Sequence, residues 1–467
     1  MGLFENINEY QDSIAVITED EQIGYQKLTE DADLLASQIG KRCLVFLVCS
    51  NTYSSLCAYV AFLRNDIVPL LVHHSINDKM FQRLIEAYQP QYVYQPKGFS
   101  QGNCIFSVND YELIELGTSI PNLHPELALL LTTSGSTGSP KFVKQTYQNI
   151  LCNAQSIISY LQIKPSDRAI TTLPMSYTYG LSIINTHLLQ GASIVMTEAS
   201  LMQRKFWNLL KDNHVNNFGG VPYTYEILKN LRFERMALPS LRYITQAGGK
   251  LSEELHSEFI RICKQHGMQF IIMYGQTEAT ARMSYLPWEH SLDKIGSIGI
   301  AIPGGTFLLK DVDGKEIMEN NMVGELIYSG KNVTMGYALS GDDLSVGDER
   351  NGMLETGDMA YRDDDGYYYI VGRKKRFLKV YGNRLNLDEV DALLQEEGFE
   401  AVTAGEDNHV VIYAVNGDAE DIIKFVSETT KLNRHAFEVK HIAEIPRGES
   451  GKILYANLCK QLDMEFE

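Results

Sequence analysis

The sequence predicts an α/β protein: a large N-terminal domain of doubly wound αβ subdomains with a small β-barrel-like subdomain, followed by a small α+β domain. Three observations predict it. Apolar runs alternate with amphipathic stretches up to Gly299, the texture then changes to short alternating segments broken by Gly and Asp, and after Arg373 a fresh set of strands and helices begins. In order, CLVFLV (43–48) and IVPLLV (67–72) read as buried strands, set among the helical stretches NTYSSLCAYVAFLRND and INDKMFQRLIEAYQ. From Ala15 to Gln95 this is the pattern of βαβ units and a mostly parallel sheet. After Asn149 it resumes with a helix over 149–161, strand RAITTLP, a helix over about 180–190 and strand SIVMTEA. FGGVP with YTYEILKNL, and RYITQAGG with SEELHSEFIRICKQHG, continue it. FLLKDVDGKEI, VGELIYSG and DGYYYIVG then read as an antiparallel β subdomain. The basic run GRKKRFLKVYGNR and the helix LDEVDALLQEEG open the last domain, so the expected division is 1–372 and 373–467.

A chain of 467 residues exceeds one ordinary core, and 44% hydrophobic with 21% charged residues excludes disordered and collagen-like classes. The net charge of −18 disfavours nucleic acid and anionic membrane surfaces, which reward clustered positive charge. Seven scattered cysteines without a C-x-x-C pair suggest neither a disulfide framework nor a zinc site. The start MGLFENINEY lacks the parts of a signal peptide, Asn6 stands where myristoylation wants Ser or Thr, and DMEFE carries no lipidation signal. No apolar run approaches the ~20 residues of a membrane span, so a cytoplasmic monomer or homodimer is expected.

Chemistry concentrates first in LTTSGSTGSPK (131–141), placed between the apolar strand LALLL and a helix beginning near Tyr147. Gly lets backbone N–H groups face an anion, Ser and Thr add hydroxyl donors, and Lys141 adds charge, which together make a phosphate cradle. The Walker spacing fails, because Lys141 follows Pro140 and precedes Phe142. On composition alone the segment also reads as a flexible Ser/Gly linker.

TSGSTGSPK closely resembles the phosphate loop of the adenylate-forming superfamily, which holds acyl- and aryl-CoA ligases, luciferases and peptide-synthetase adenylation domains. YGQTEAT (274–280), GELIYSGKNVTMGY (324–337), ETGDMAYRDDDGYYYIVGRKKRFLKVYGNRLNLDEVD (355–391) and PRGESGKILYANL (446–458) resemble its later motifs in the same order. The resemblance implies an ATP-dependent, AMP-forming acid–thiol ligase. It implies that Thr133, Ser134, Gly135, Ser136, Thr137, Gly138 and Lys141 cradle the ATP phosphates, and that Gly248, Gly249, Tyr274, Gly275 and Gln276 contact the nucleotide, Tyr274 packing on adenine. Thr277 would bond the α-phosphate and Glu278 would hold Mg²⁺, a cation suited to carboxylate and phosphate oxygens. Asp358 would accept from the ribose hydroxyls, with Arg373 as a second nucleotide contact, and Lys452 would be the catalytic lysine bridging carboxylate and phosphate. Taken alone, TGD is a common turn and GRKKR a common solvated run. In the family the C-terminal domain is mobile: it swings at a hinge that falls here at Lys375, where many members have Asp, and presents KVYGNR with Gly382 at the pantetheine path. Phe142 replaces the usual Gly after Pro-Lys, and the N-terminal region is shorter than in many members.

The acid pocket should be lined by LPMSYTYG (173–180), GGVPYTYE (219–226), QAGG (246–249) and the surroundings of Met273, with Tyr177, Thr178, Gly220, Val221 and Met273 as substrate-binding residues. Tyr177 and Thr178 stand where amino-acid-activating members have an Asp that clamps the α-ammonium, so the expected acid is aryl or apolar acyl. The acceptor is expected to be CoA, or alternatively the phosphopantetheine of an acyl carrier protein. A catalytically inactive nucleotide-binding regulator is a third reading, against which intact Glu278, Asp358, Arg373 and Lys452 argue.

Overall fold

The computed structural model describes residues 3–118, 121–132, 141–381, 383–447, 453–455 and 458. They belong to two compact units, one of Met1–Thr306 with Tyr328–Leu354 and one of Phe307–Ile327 with Glu355–Glu467.

The first unit holds two large sheets. In the eight-stranded sheet, Leu127–Thr132, Val68–His73, Leu44–Cys49 and Tyr92–Pro96 run parallel at the centre in that order, and antiparallel strands flank them. Leu44–Cys49 is buried at every position, which explains its unbroken apolar run. The helix Tyr53–Arg64 starts where Thr52 accepts from the Ser55 N–H, and it buries every residue from Ser54 to Leu63.

The nine-stranded sheet contains a parallel run of Gln269–Tyr274, Tyr243–Gln246, Asn217–Gly220, Arg168–Ile170, Ser193–Val195 and Ile14–Ile17. The expectation of continuous βαβ units from Ala15 is therefore corrected. Ile14–Ile17 pairs with Ser193–Val195, and the Ser193 hydroxyl donates to the Ile14 carbonyl at 2.7 Å, so this strand lies in a different sheet from Leu44–Cys49. Apolar alternation identifies a strand without naming its partner.

A second correction concerns the surroundings of the Ser/Gly loop. It does not run from strand to helix, because the strand Phe142–Thr146 intervenes and pairs antiparallel with Leu127–Thr132, Thr132 opposite Phe142. Lys144 disguised that strand. It is fully buried, its Nζ donating to the carbonyls of Asp343 (3.3 Å) and Val346 (3.0 Å) and lying 3.4 Å from Glu349 Oε2. The helix Tyr147–Leu161 then starts on a capping box between Thr146 and Asn149.

A four-stranded sheet, most of it in the second unit, comprises Gly305–Lys310, Gly324–Gly330, Met353–Arg362 and Tyr368–Arg373, the last two antiparallel. The hairpin Phe377–Val380 and Asn383–Asn386, the helices Leu387–Glu396 and Ala419–Thr430, and a three-stranded sheet share a core that includes Val380, Leu394, Ile412 and Ile422. By packing, position 372/373 falls inside this second unit. Arg373 pairs with Asp358 in the sheet, and its backbone N–H bonds Asp388 Oδ2 at 3.0 Å. Among the described residues no helix is long and apolar enough to cross a membrane.

Candidate active site

Asn217–Gly220, Tyr243–Gln246 and Gln269–Tyr274 are parallel neighbours whose ends are level: Gly220 pairs with Gln246, and Gln246 with Ile272. The carboxyl ends of such strands are where open α/β sheets bind ligands. From these ends continue Val221, Gly248–Gly249 and Met273–Glu278. Gly248 has φ +87°, and a Cβ there would lie 2.6 Å from Tyr177 Oη and 3.1 Å from Val221 Cγ1. Only glycine lets the tyrosine and valine close on this backbone.

Val221, Met273, Tyr179 and Ala247 form one apolar cluster, against which Tyr160, Tyr177 and Tyr285 pack. Tyr160 stacks on Tyr285 with centroids 4.1 Å apart, and its hydroxyl meets Met273 Sδ at 3.0 Å. Burial pushes the Tyr177 hydroxyl up, so it stays protonated and neutral. Tyr177, Val221, Gly248 and Met273 are thus brought together, while Gly249 turns toward Pro222 and Gly220 toward Thr224. Thr178 is buried and donates its hydroxyl to the Thr280 carbonyl, which makes it a fastening for the next loop.

That loop is strained. Thr280 has φ 66° and ψ −63°, and the Ala281 N–H donates to the Ala279 carbonyl at 2.8 Å across it. This is a γ-turn of the rare hand, at a cost of about 1–3 kcal/mol. Several contacts hold it. The Thr280 hydroxyl donates to the Asn332 carbonyl at 2.7 Å, and Asn332 Nδ2 donates to the carbonyls of Ala279 (2.9 Å) and Arg282 (3.0 Å). Behind it, a Cβ on Gly275 would come 1.8 Å from the Ala281 carbonyl oxygen, so only glycine fits.

The turn positions Glu278. Its carbonyl accepts from the Thr334 N–H (3.0 Å), the Thr334 hydroxyl (2.9 Å) and Arg350 Nη1 (3.0 Å), and its Oε1 accepts from the Tyr337 hydroxyl at 2.7 Å. Lys141 Nζ lies 3.4 Å from the centroid of the Tyr337 ring, and Arg350 Cζ lies 4.6 Å from it. Burial and the Glu278 charge push the Tyr337 hydroxyl to about 12, so it remains a donor at neutral pH. Thr277 is buried beside Glu278, and Gln276 Nε2 lies 3.4 Å from the Tyr274 hydroxyl.

In the second unit Asp358 is almost wholly buried, its Oδ1 2.7 Å from Arg373 Nε. Its backbone N–H donates to the Thr356 hydroxyl at 3.0 Å. Lys375 is exposed. Thr133, Ser134, Gly135, Ser136, Thr137, Gly138, Gly382 and Lys452 lie outside the described residues.

This donor set suits Mg²⁺ brought by a nucleotide. Among the described residues no group of three or more His, Cys, Asp or Glu could hold a metal by itself. Glu278 offers a single fixed carboxylate, and Mg²⁺ characteristically takes one or two carboxylates and completes its shell from phosphate and water. The Gly248–Gly249 and Gly275 positions leave backbone approachable where a Cβ would intrude.

Sequence reasoning passed over Tyr337, Arg350, Thr280 and Arg282. Tyr337 was visible as the last residue of GELIYSGKNVTMGY but had no role there, and Arg282 follows YGQTEAT by two positions. Arg350, in GDERNG, has the look of a solvated turn.

The profile of the family described as AMP-binding enzyme matches residues 3–338. The chain belongs to the AMP-binding enzyme family. A sulfoacetate–CoA ligase of Cupriavidus necator is 31% identical over 354 residues, which are 73% of this chain and 68% of that protein. An oxalate–CoA ligase of Arabidopsis thaliana is 30% identical over 62% of this chain, and the match spans only 56% of its own length. Among solved structures, the o-succinylbenzoate coenzyme A synthetase of Bacillus subtilis in complex with AMP superposes with a TM-score of 0.78 at 21% identity, covering 98% of both chains. The same synthetase has been solved with ATP and magnesium ion. The α/β architecture of this AMP-binding enzyme, a large first domain and a small C-terminal one, agrees with that likeness.

Proposed function

We propose that this AMP-binding enzyme activates a carboxylic acid with ATP, releasing pyrophosphate, and passes the acyl group from AMP to the thiol of CoA. The AMP-forming acid–CoA ligase class is supported by the family match and by relatives that are themselves CoA ligases. The observation that carries the residue-level reading is Glu278, held by Tyr337, Thr334 and Arg350 on the loop that continues the Met273 strand.

In the first step a carboxylate oxygen attacks the α-phosphorus and the bond to pyrophosphate breaks. In the second, the thiol sulfur attacks the acyl carbon, AMP leaves with the bonding pair, and the thiol proton passes to solvent. Bound Mg²⁺ would offset phosphate charge at Glu278. Thr277 donates to the α-phosphate, Thr133–Gly138 and Lys141 cradle the departing phosphates, and Lys452 adds its ammonium where carboxylate and phosphate meet. Tyr274 packs on adenine beside Gly275 and Gln276. Asp358 accepts from the ribose and Arg373 donates to the nucleotide, and Gly382 admits the pantetheine. Val221, Met273 and Tyr177 enclose the acid, with Gly220, Gly248 and Gly249 giving it room.

The names of the two ligases above give sulfoacetate and oxalate as their acids, and the structural neighbour's gives o-succinylbenzoate, so the acid here is drawn from small or aryl carboxylates lacking an α-ammonium. A cytoplasmic location, a monomeric or homodimeric state and a mobile domain starting at 373 complete the proposal. The test is acid-dependent formation of AMP and acyl-CoA from Mg·ATP, with Glu278→Gln lowering it at limiting Mg²⁺. Acyl transfer to a carrier protein with CoA inert would overturn the acceptor.

A further inference from the structure

Among the described residues, Arg282 is a buried cation without an anion. Only 3% of it is exposed, and its Nε is buried with no hydrogen-bond partner. Its side chain makes one hydrogen bond, from Nη1 to the carbonyl of its own neighbour Ala281 at 3.4 Å, and no described carboxylate pairs with it. A guanidinium in such a place is costly unless something negative joins it.

Its surroundings are the walls of the acid pocket. The guanidinium carbon sits 3.9 Å from the centroid of the Tyr179 ring, and Tyr177 packs edge-on to that ring with centroids 6.4 Å apart. Burial raises the hydroxyls of Tyr160, Tyr177 and Tyr179, and in all three the nearby Arg282 charge draws them partly back. Arg282, Tyr179 and Met273 border one internal void. Of the other polar groups on that void, Asn217 Nδ2 donates to His187 Nε2 at 3.1 Å and the Tyr179 hydroxyl donates to the Thr245 carbonyl at 2.8 Å, whereas the buried Tyr243 hydroxyl, like Arg282 Nε, has no hydrogen-bond partner among the described residues. The backbone of Arg282 is fixed as well, its N–H donating to Asn153 Oδ1 at 3.2 Å and its carbonyl accepting from Asn153 and Asn332.

We propose that Arg282 is the counter-ion for a second negative group on the acid, so that the preferred substrate carries, besides the carboxylate to be activated, a further carboxylate or sulfonate. This rests on the ligase reading above and narrows its substrate class. The second anion fills the unpartnered guanidinium, while the carboxylate to be activated stays free to attack phosphorus. An acid lacking it leaves Arg282 buried and unpaired, and sites built around such a group reject that acid strongly. A brace for Tyr179 would instead leave substrate preference untouched.

The test is exchange of labelled pyrophosphate into ATP by the wild-type enzyme, with matched acids: succinate against butanoate, suberate against octanoate, phthalate and sulfobenzoate against benzoate. At least one doubly charged acid should exceed its singly charged partner in kcat/KM by roughly 100-fold. The phthalate and sulfobenzoate arms separate carboxylate from sulfonate. Arg282→Gln should remove the preference mainly through KM, and Arg282→Lys should restore part of it. Exchange supported equally or better by the singly charged partners, or a preference unchanged in Arg282→Gln, overturns the role of Arg282 while leaving the ligase reading standing. Exchange with no acid of either kind overturns the ligase reading itself. Because the wild-type comparison decides by itself, a variant that fails to fold does not remove the test.

Discussion

Asp358 and Arg373 face each other in register across two antiparallel strands, with Arg373 Nε 2.7 Å from Asp358 Oδ1. The carboxylate is buried and the guanidinium half out in solvent, so the arginine is free to follow a ligand while the aspartate stays put. If Asp358 accepts from the ribose, Asp358→Asn should raise KM for ATP roughly 10- to 100-fold, the loss expected for hydrogen bonds to a charged acceptor. A KM for ATP within twofold of wild type would remove the ribose role.

Tyr337→Phe deletes one hydroxyl, the donor to Glu278 Oε1. Groups that orient a metal-binding side chain typically matter about 10- to 100-fold in affinity. The Mg²⁺ concentration needed for half-maximal adenylation should rise accordingly, with kcat at saturating Mg²⁺ changing less. An unchanged Mg²⁺ dependence would mean that Glu278 does not meet the ion.

Gly275→Ala places a methyl against the Ala281 carbonyl, a backbone atom that cannot rotate away. Overpacking of this kind costs about 1–3 kcal/mol. A lowered midpoint in thermal melting, together with weakened ATP binding, is expected. An unaltered melting curve would show that the loop relaxes freely.

His187 is buried and neutral, its Nδ1–H donating to the Ile183 carbonyl at 2.9 Å and its Nε2 accepting from Asn217 at 3.1 Å. Burial holds it at about 4, below the ordinary 6.5. Between those values the unfolded chain binds the proton that the folded chain refuses, so this contribution to stability is full above pH 6.5 and drains away as pH falls toward 4. Its size is on the order of 3 kcal/mol. Denaturant melts of wild type and His187→Gln should converge as pH falls from 6.5 to 4. A gap that stays constant would contradict the buried neutral imidazole.

Lys452→Ala, on the proposed role, should depress adenylation by orders of magnitude yet leave thiolysis of a supplied acyl adenylate largely intact. Equal loss in both half-reactions would show that one residue does not serve adenylation alone.

Much of this was legible in the sequence. Unbroken apolar runs such as LVFLVC mark strands buried on both faces, and the helices near 149–161 and 180–190 appear as Tyr147–Leu161 and Thr178–Leu189. Tyr177, Val221 and Met273, expected together in the acid pocket from the resemblance, do meet in one apolar cluster. What stayed hidden depended on contacts between distant segments. Lys144 is held buried by three groups about 200 residues along the chain, which its own neighbourhood does not show, and Ile14–Ile17 has its partner near position 194. Arg282 carries no signal of burial in its own sequence, since only the fold shows it buried with no described acid beside it.

The central claim is adenylation of a carboxylic acid, and the most direct measurement is exchange of labelled pyrophosphate into ATP across a panel of acids at saturating Mg²⁺. Label should enter ATP only when enzyme, Mg²⁺ and an accepted carboxylate are all present, without any need for CoA. ATP that binds but never takes up label with any acid would contradict it.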